Sequence, residues 1–107
     1  MILAVLTALA VTVAVETPVI AAVYRSQRFR MAAVCILTTS ITNVGMNTWL
    51  RSTATSYDQY VHVGEACAVL IEATVYALVA RGRDVPKAML ASGASNALSY
   101  AAGLVLL

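Results

Sequence analysis

Four apolar stretches, at about residues 2–24, 31–50, 61–80 and 88–107, take up most of this 107-residue chain. Each has the ~20 residues needed to cross ~30 Å of hydrocarbon at ~1.5 Å per residue. Lipid offers no partner to a backbone N–H or C=O, so such a segment satisfies its own polar groups only as a helix. A membrane strand would need alternating polarity, which none of the four shows. The expected fold is all-α: a polytopic membrane protein, one four-transmembrane-helix bundle spanning residues 1–107. Composition points the same way. The chain is 61% hydrophobic and 11% charged, against ~25% charged in a soluble domain. A chain this short cannot hide that much apolar surface from water.

The charges lie in the breaks. Arg25, Arg28 and Arg30 form one cluster, Arg51 and Asp58 mark a second break, and Arg81, Arg83, Asp84 and Lys87 form a third. Six of the seven Lys and Arg residues flank the first and third connections. The positive-inside rule then puts these two connections in the cytoplasm and both termini outside. Trp49, Tyr57 and Tyr60 surround the outer connection, as an interfacial aromatic belt would. The excess of Arg over Lys hints at a GC-rich bacterial genome, so the expected location is the bacterial cytoplasmic (inner) membrane. The first stretch lacks the basic region of a cleaved secretory signal, and Glu16 interrupts it, so it is expected to remain as a helix. The basic connections are short and read as topology signals, not as nucleic-acid readers.

Within this frame the stretch "VAVETPVI" (13–20) stands out. A charge at the bilayer centre costs roughly 2.5–3.5 kcal/mol on insertion scales, so Glu16 should face the bundle interior, an oligomer interface or a wet cavity. Pro18 removes one helical hydrogen bond and frees the carbonyl of residue 14, so a kink is expected beside Glu16. Thr17 can bend the helix further by bonding back to a carbonyl.

Glu16 has a counterpart. Placing "VETPVIAAVYR" (15–25) over "IEATVYALVAR" (71–81) sets Glu16 on Glu72 and Arg25 on Arg81, with the same spacing from Glu to Arg. Downstream, "TSITNVGMN" (39–47) resembles "ASGASNALS" (91–99), with Ser40 over Ser92, Asn43 over Asn96, and Thr42 approximately over Ser95. The chain thus divides into two helical hairpins, each with a Glu in its first helix and an Asn in its second. Both enter the membrane in the same direction, which makes the repeat parallel. The alternative is chance similarity between Ala- and Val-rich helices. In either case each Glu lies nine residues from an Arg of a basic connection, which places both ~13 Å inside that boundary. Two carboxyls at one depth would share a proton or hold a cation. The structural alternative is a protonated Glu hydrogen-bonded to Asn or Ser of a neighbouring helix. Such bonds contribute only ~0.6 kcal/mol on average, a weak reason to keep two Glu.

Other polar residues extend the pattern. At about 100° per residue, His62, Glu65, Val69, Glu72 and Tyr76 fall in one stripe of the third helix. His62, at the outer edge, reads first as an interfacial ring, and Glu65 either snorkels or pairs with Arg51. The second helix offers Ser40, Asn43 and Asn47 on one face, with Thr39 beside it. On the fourth, Ser95, Ser99 and Gly103 follow at four-residue spacing. Such small-residue faces let helices approach closely in lipid, and this one is a candidate seam between copies. Cys35 and Cys67 lie at different depths, so no disulfide joins them. Met46, His62 and Cys67 form a minor soft-metal alternative. There is no CxxC, HxxxH, Gly-rich phosphate loop or Ser-His-Asp spacing, so neither a cofactor nor ordinary hydrolase chemistry is expected.

"ETPV", the Asn of the second helix, "GEACAVLIEATVYAL" and the closing Ser/Asn/Gly helix resemble small four-helix bacterial integral membrane proteins. The resemblance spans nearly the whole chain through short motifs and implies no activity. The expected function is a small transporter or channel subunit for an ion or solute. In it Glu16 and Glu72 bind a proton or cation, Asn43 and Asn96 orient them, and Asn47 and Glu65 contribute. The bilayer and a homo-oligomer or larger membrane complex are the expected partners. The alternative is a non-catalytic accessory subunit of a larger complex, with the same groups as interhelical glue. A membrane-embedded enzyme ranks third.

Overall fold

The computed structural model describes residues 2–50 and 55–106. These residues are all-helical, with no strand among them, and four helices are long and apolar enough to span a membrane. Helix α1 covers Ile2–Val23. After a 3-10 turn at Arg25–Gln27, α2 covers Arg28–Gly45 and runs on through a π-helical turn at Met46–Leu50. Helix α3 covers Tyr57–Val79 and α4 covers Val85–Leu106. The bundle measures 40 × 22 × 20 Å, and its long axis matches the ~40–45 Å of a bilayer with its headgroups.

The last three helices begin earlier than the apolar stretches, and at α3 and α4 the cause is a cap set among the polar residues. Ser56 Oγ accepts from the Gln59 N–H at 3.1 Å, while Gln59 Oε1 accepts from the Thr55 N–H and hydroxyl at 2.6 and 2.8 Å. This reciprocal arrangement is a capping-box variant, and it starts α3 at Tyr57. Asp84 Oδ1 accepts from the Lys87 N–H at 3.1 Å and starts α4 at Val85. The turn before it passes through positive φ at Gly82 (93°) and Arg83 (46°), a conformation that costs glycine nothing. Arg51 lies outside the described residues, as does the side chain of Tyr57.

Helix α1 continues through Pro18, whose ring is exposed. Thr17 does not bond back along its own helix; its hydroxyl donates to Cys35 Sγ at 3.9 Å, joining α1 to α2. Helix α1 packs on α2 and α4, and α3 on α4, while α2 and α3 share a smaller interface. The outside is aliphatic: Leu37, Ile41, Leu70, Leu78, Leu90 and Leu98 are all exposed. A surface so continuously apolar is costly in water.

The interior has two unlike halves. Toward the α1–α2 and α3–α4 connections it is sealed by Ile20, Tyr24, Met31, Cys35, Tyr76, Ala80, Ala88 and Ala91, all buried. The rings of Tyr24 and Tyr76 lie 6.4 Å apart at 58° in this core. Gln27 closes it at the surface, accepting from the Arg81 N–H at 2.9 Å and donating to the Arg81 carbonyl at 3.5 Å. The half toward the α2–α3 connection holds a cavity.

The two hairpins match in burial. Glu16, Ile20 and Tyr24 are buried on α1, and Glu72, Tyr76 and Ala80 at one constant interval on α3. Cys35, Thr38, Thr39 and Thr42 on α2 correspond likewise to Ala88, Ala91, Ser92 and Ser95 on α4. The side-chain bonds repeat too. Thr42 Oγ1 and Asn43 Nδ2 donate to the Thr39 carbonyl at 3.0 and 3.2 Å; Ser95 Oγ and Asn96 Nδ2 donate to the Ser92 carbonyl at 3.2 and 2.8 Å. Structurally the counterpart of Ser92 is therefore Thr39, not Ser40, which is half-buried and bonds back to the Ile36 carbonyl at 2.7 Å.

Candidate functional site

Glu16 of α1 and Glu72 of α3 are each 1% exposed. They converge on one hydroxyl of α2: Thr39 Oγ1 lies 3.1 Å from Glu16 Oε1 and 3.5 Å from Glu72 Oε1. Through this shared hydroxyl the two carboxyls lie side by side. Ser99 of α4 donates to Glu16 Oε2 at 2.7 Å, and the Tyr76 hydroxyl donates to Glu72 Oε1 at 3.4 Å. Every helix thus supplies one part of the centre. Glu16 is the better provided acceptor, with two donors at shorter range.

A threonine hydroxyl has one proton and can satisfy only one carboxylate as donor. With Thr39 donating to Glu16, a charged Glu72 would keep only the longer bond from Tyr76, in a medium where like charges repel strongly. A proton placed between the carboxyls, or a cation beside them, relieves both problems.

The pair forms the floor of a cavity of about 440 Å³ lined by all four helices. Thr12 lines it from α1, Thr42 and Asn43 from α2, Asn47 from the π-helical turn, Tyr60 and Glu65 from α3, and Asn96, Tyr100 and Gly103 from α4. No Lys, Arg or His is among the described lining residues. A second space of about 310 Å³ opens between α3 and α4, lined by His62, Glu65, Val69, Asn96 and Tyr100. Half-buried Glu65 stands between the two spaces and borders both.

The structure brings Glu16, Glu72, Asn43, Asn96, Asn47 and Glu65 to one cavity. The short bonds to the carboxyls come from hydroxyls. The Asn43 and Asn96 amides donate to the carbonyls of Thr39 and Ser92, and so brace the turns behind the centre. Asn47 accepts from the Tyr60 hydroxyl at 3.0 Å and ties the end of α2 to α3. His62 is exposed, with Nδ1 2.7 Å from the Asp58 carbonyl, and it borders only the second space.

The small-residue face of α4 is turned in part toward the chain's own helices. Ser95 and Ser99 are buried inside the chain, which withdraws them from any seam between copies. A Cβ on Gly103 would meet nothing within 4 Å, so this glycine marks open space and not a close helix approach. Cys35 is buried and Cys67 exposed, both as free thiols. Among the described residues no group of three or more His, Cys, Asp and Glu is placed to hold a metal ion.

Two residues of the centre carry no individual mark in the sequence. Thr39 reads as a neighbour of the polar face of α2, and Ser99 as a small packing residue. The available signal is the repeat: with Asn43 set on Asn96 without a gap, Thr39 falls on Ser92 and joins the matched polar positions. The chain matches no protein-family model, no curated protein and no solved structure.

Proposed function

We propose that the chain is a multi-pass protein of the bacterial cytoplasmic membrane that acts as a small transporter or channel subunit, with Glu16 and Glu72 as its proton- or cation-binding centre. One observation carries this reading: two fully buried carboxyls from different helices share the Thr39 hydroxyl at the floor of a polar cavity. Interhelical hydrogen bonding alone, at ~0.6 kcal/mol per bond, is a poor return for burying two such groups. The two hairpins are read as parallel repeats whose glutamates meet near the pseudo-axis, where repeat-built carriers place their sites. With the basic connections in the cytoplasm and both termini outside, the cavity faces outward and the aromatic seal inward. A complete path then requires the sealed half to rearrange, or a second copy or larger complex to extend it.

The test is flux in proteoliposomes. Glu16→Gln is expected to abolish proton or cation flux while helical content and elution volume stay unchanged. Unchanged flux in a folded Glu16→Gln variant rejects the site. Absence of flux in the purified wild-type chain, together with co-purification of a larger membrane complex, supports the accessory-subunit alternative.

A further inference from the structure

Resting on the proposed carboxyl-pair site, we propose that the cavity's ligand is an organic monocation, an amine or quaternary ammonium ion, taken up in exchange for a proton. A bare proton needs no cavity. The space above the pair, about 440 Å³, lies within the ~300–1,000 Å³ range of small-molecule sites and would hold roughly a dozen waters. The oxygens that could enclose a desolvated inorganic cation gather at the floor, around Thr39, and such an ion would leave the volume above them unused. Glu65 borders the same space from α3, seven residues before Glu72. Among the described residues the lining carries three carboxyl groups and no Lys, Arg or His, which disfavours anions. Tyr60 and Tyr100 add aromatic surface on the walls, which suits an alkylated cation more than a hydrated metal ion.

Charge balance sets the stoichiometry. The titratable groups around the centre and its cavity are Glu16 from α1, Cys35 from α2, and Tyr60, Glu65, Glu72 and Tyr76 from α3; α4 contributes the Ser99 hydroxyl and Tyr100. With no basic group among the described lining residues to compensate them, the buried carboxyls are neutral when each holds a proton. One monocation then replaces one proton and leaves the floor neutral again.

Gly103 permits a direct test of the volume. It borders the cavity and has open space at its Cβ position, so Gly103→Leu is expected to take up part of the chamber. It also leaves the carboxyl pair in place. The full-length protein in detergent is titrated with benzylammonium, with neutral benzyl alcohol of similar shape, and with sodium, while proton release is followed in weak buffer. Benzylammonium is expected to bind with release of about one proton per ion. Gly103→Leu and Glu16→Gln should each weaken it roughly tenfold or more, and benzyl alcohol should not compete. Sodium binding as tight as benzylammonium, or benzylammonium binding that survives Gly103→Leu, overturns the organic-cation assignment and leaves the carboxyl-pair reading standing. Binding of neither cation, with no proton released, overturns both.

Discussion

Ser99 and Glu16 are joined by a 2.7 Å hydrogen bond that connects the last helix to the first across 83 positions of sequence. The serine donates, and it also holds 3.0 Å from the Asn96 carbonyl of its own helix. The energy of this bond reports on the charge of its acceptor. A neutral interhelical bond in lipid contributes ~0.6 kcal/mol on average, whereas a bond to a charged group contributes ~1.5–3 kcal/mol. With the floor carboxyls holding their protons, Ser99→Ala, followed by denaturation in mixed micelles, is expected to cost ~0.6 kcal/mol, and Ser99→Thr less. A loss of ~1.5–3 kcal/mol for Ser99→Ala would mean that the acceptor carries a charge in the resting state.

Tyr24 supplies a pH prediction outside the membrane-spanning segments. Its side chain is buried, its hydroxyl has no hydrogen-bond partner, and the Lys87 ammonium sits 4.9 Å over its ring. Burial, and then the nearby Asp84 carboxylate, push the phenol above the usual tyrosine range. The folded state therefore keeps its proton where the unfolded chain loses it. This contribution to stability is complete below about pH 10 and is lost as pH rises above it, at up to ~1.4 kcal/mol per pH unit. Tyr24→Phe should flatten the alkaline limb of the stability profile by about that slope. At neutral pH it should leave stability unchanged or raise it by ~1–3 kcal/mol, because it removes an unsatisfied buried hydroxyl. Chemical denaturation between pH 7 and pH 11 distinguishes these outcomes from a loss at every pH.

The four helices are legible in the chain because length and apolar continuity alone dictate them. The meeting of Glu16 and Glu72 is foreshadowed by their equal distance from Arg25 and Arg81. Thr39 is hidden for a physical reason. A threonine in an apolar helix usually satisfies its hydroxyl on the carbonyl four residues back, as Thr7, Thr12 and Thr74 do at 2.7–2.8 Å. Nothing local shows that Thr39 instead reaches across to two carboxyls. The cavity is hidden for another reason: it exists where small residues from several helices, among them Ala8, Ala68, Ser99 and Gly103, face one another and leave space unfilled. That coincidence belongs to the packing and to no single segment.

The seal at the end opposite the cavity can be read through Cys35, which is fully buried beside Tyr76 and Met31. Gln27 spans the two connections there by bonding both the N–H and the carbonyl of Arg81. In a Cys67→Ser background, Cys35 should resist a membrane-permeant maleimide. Adding Gln27→Ala removes a bond of ~0.5–1.5 kcal/mol and should accelerate labelling roughly two- to twelvefold by raising the population of open forms. Rapid labelling of Cys35 with Gln27 intact would show that this half is not closed in the membrane.

The sharpest test of the centre is the energetic coupling between its carboxyls. Gln at either position offers an N–H to the remaining carboxyl, which replaces the proton otherwise needed between them. Glu72→Gln alone, or Glu16→Gln alone, is therefore expected to be mild or stabilising when measured by denaturation at neutral pH. The double variant sets two amides against each other and loses the charge-assisted bond. Its cost should exceed the sum of the single effects by ~0.5–3 kcal/mol, the range for groups in direct contact. Thr39→Val removes the hydroxyl that both carboxyls share while nearly conserving volume, so repeating the cycle in that background should give a smaller coupling; Thr39→Ser should preserve it. Additivity within ~0.3–0.5 kcal/mol in the native background would place the two carboxyls apart. That result would remove the geometric basis of the site, because Thr39 at 3.1 and 3.5 Å from the pair leaves no room for independence.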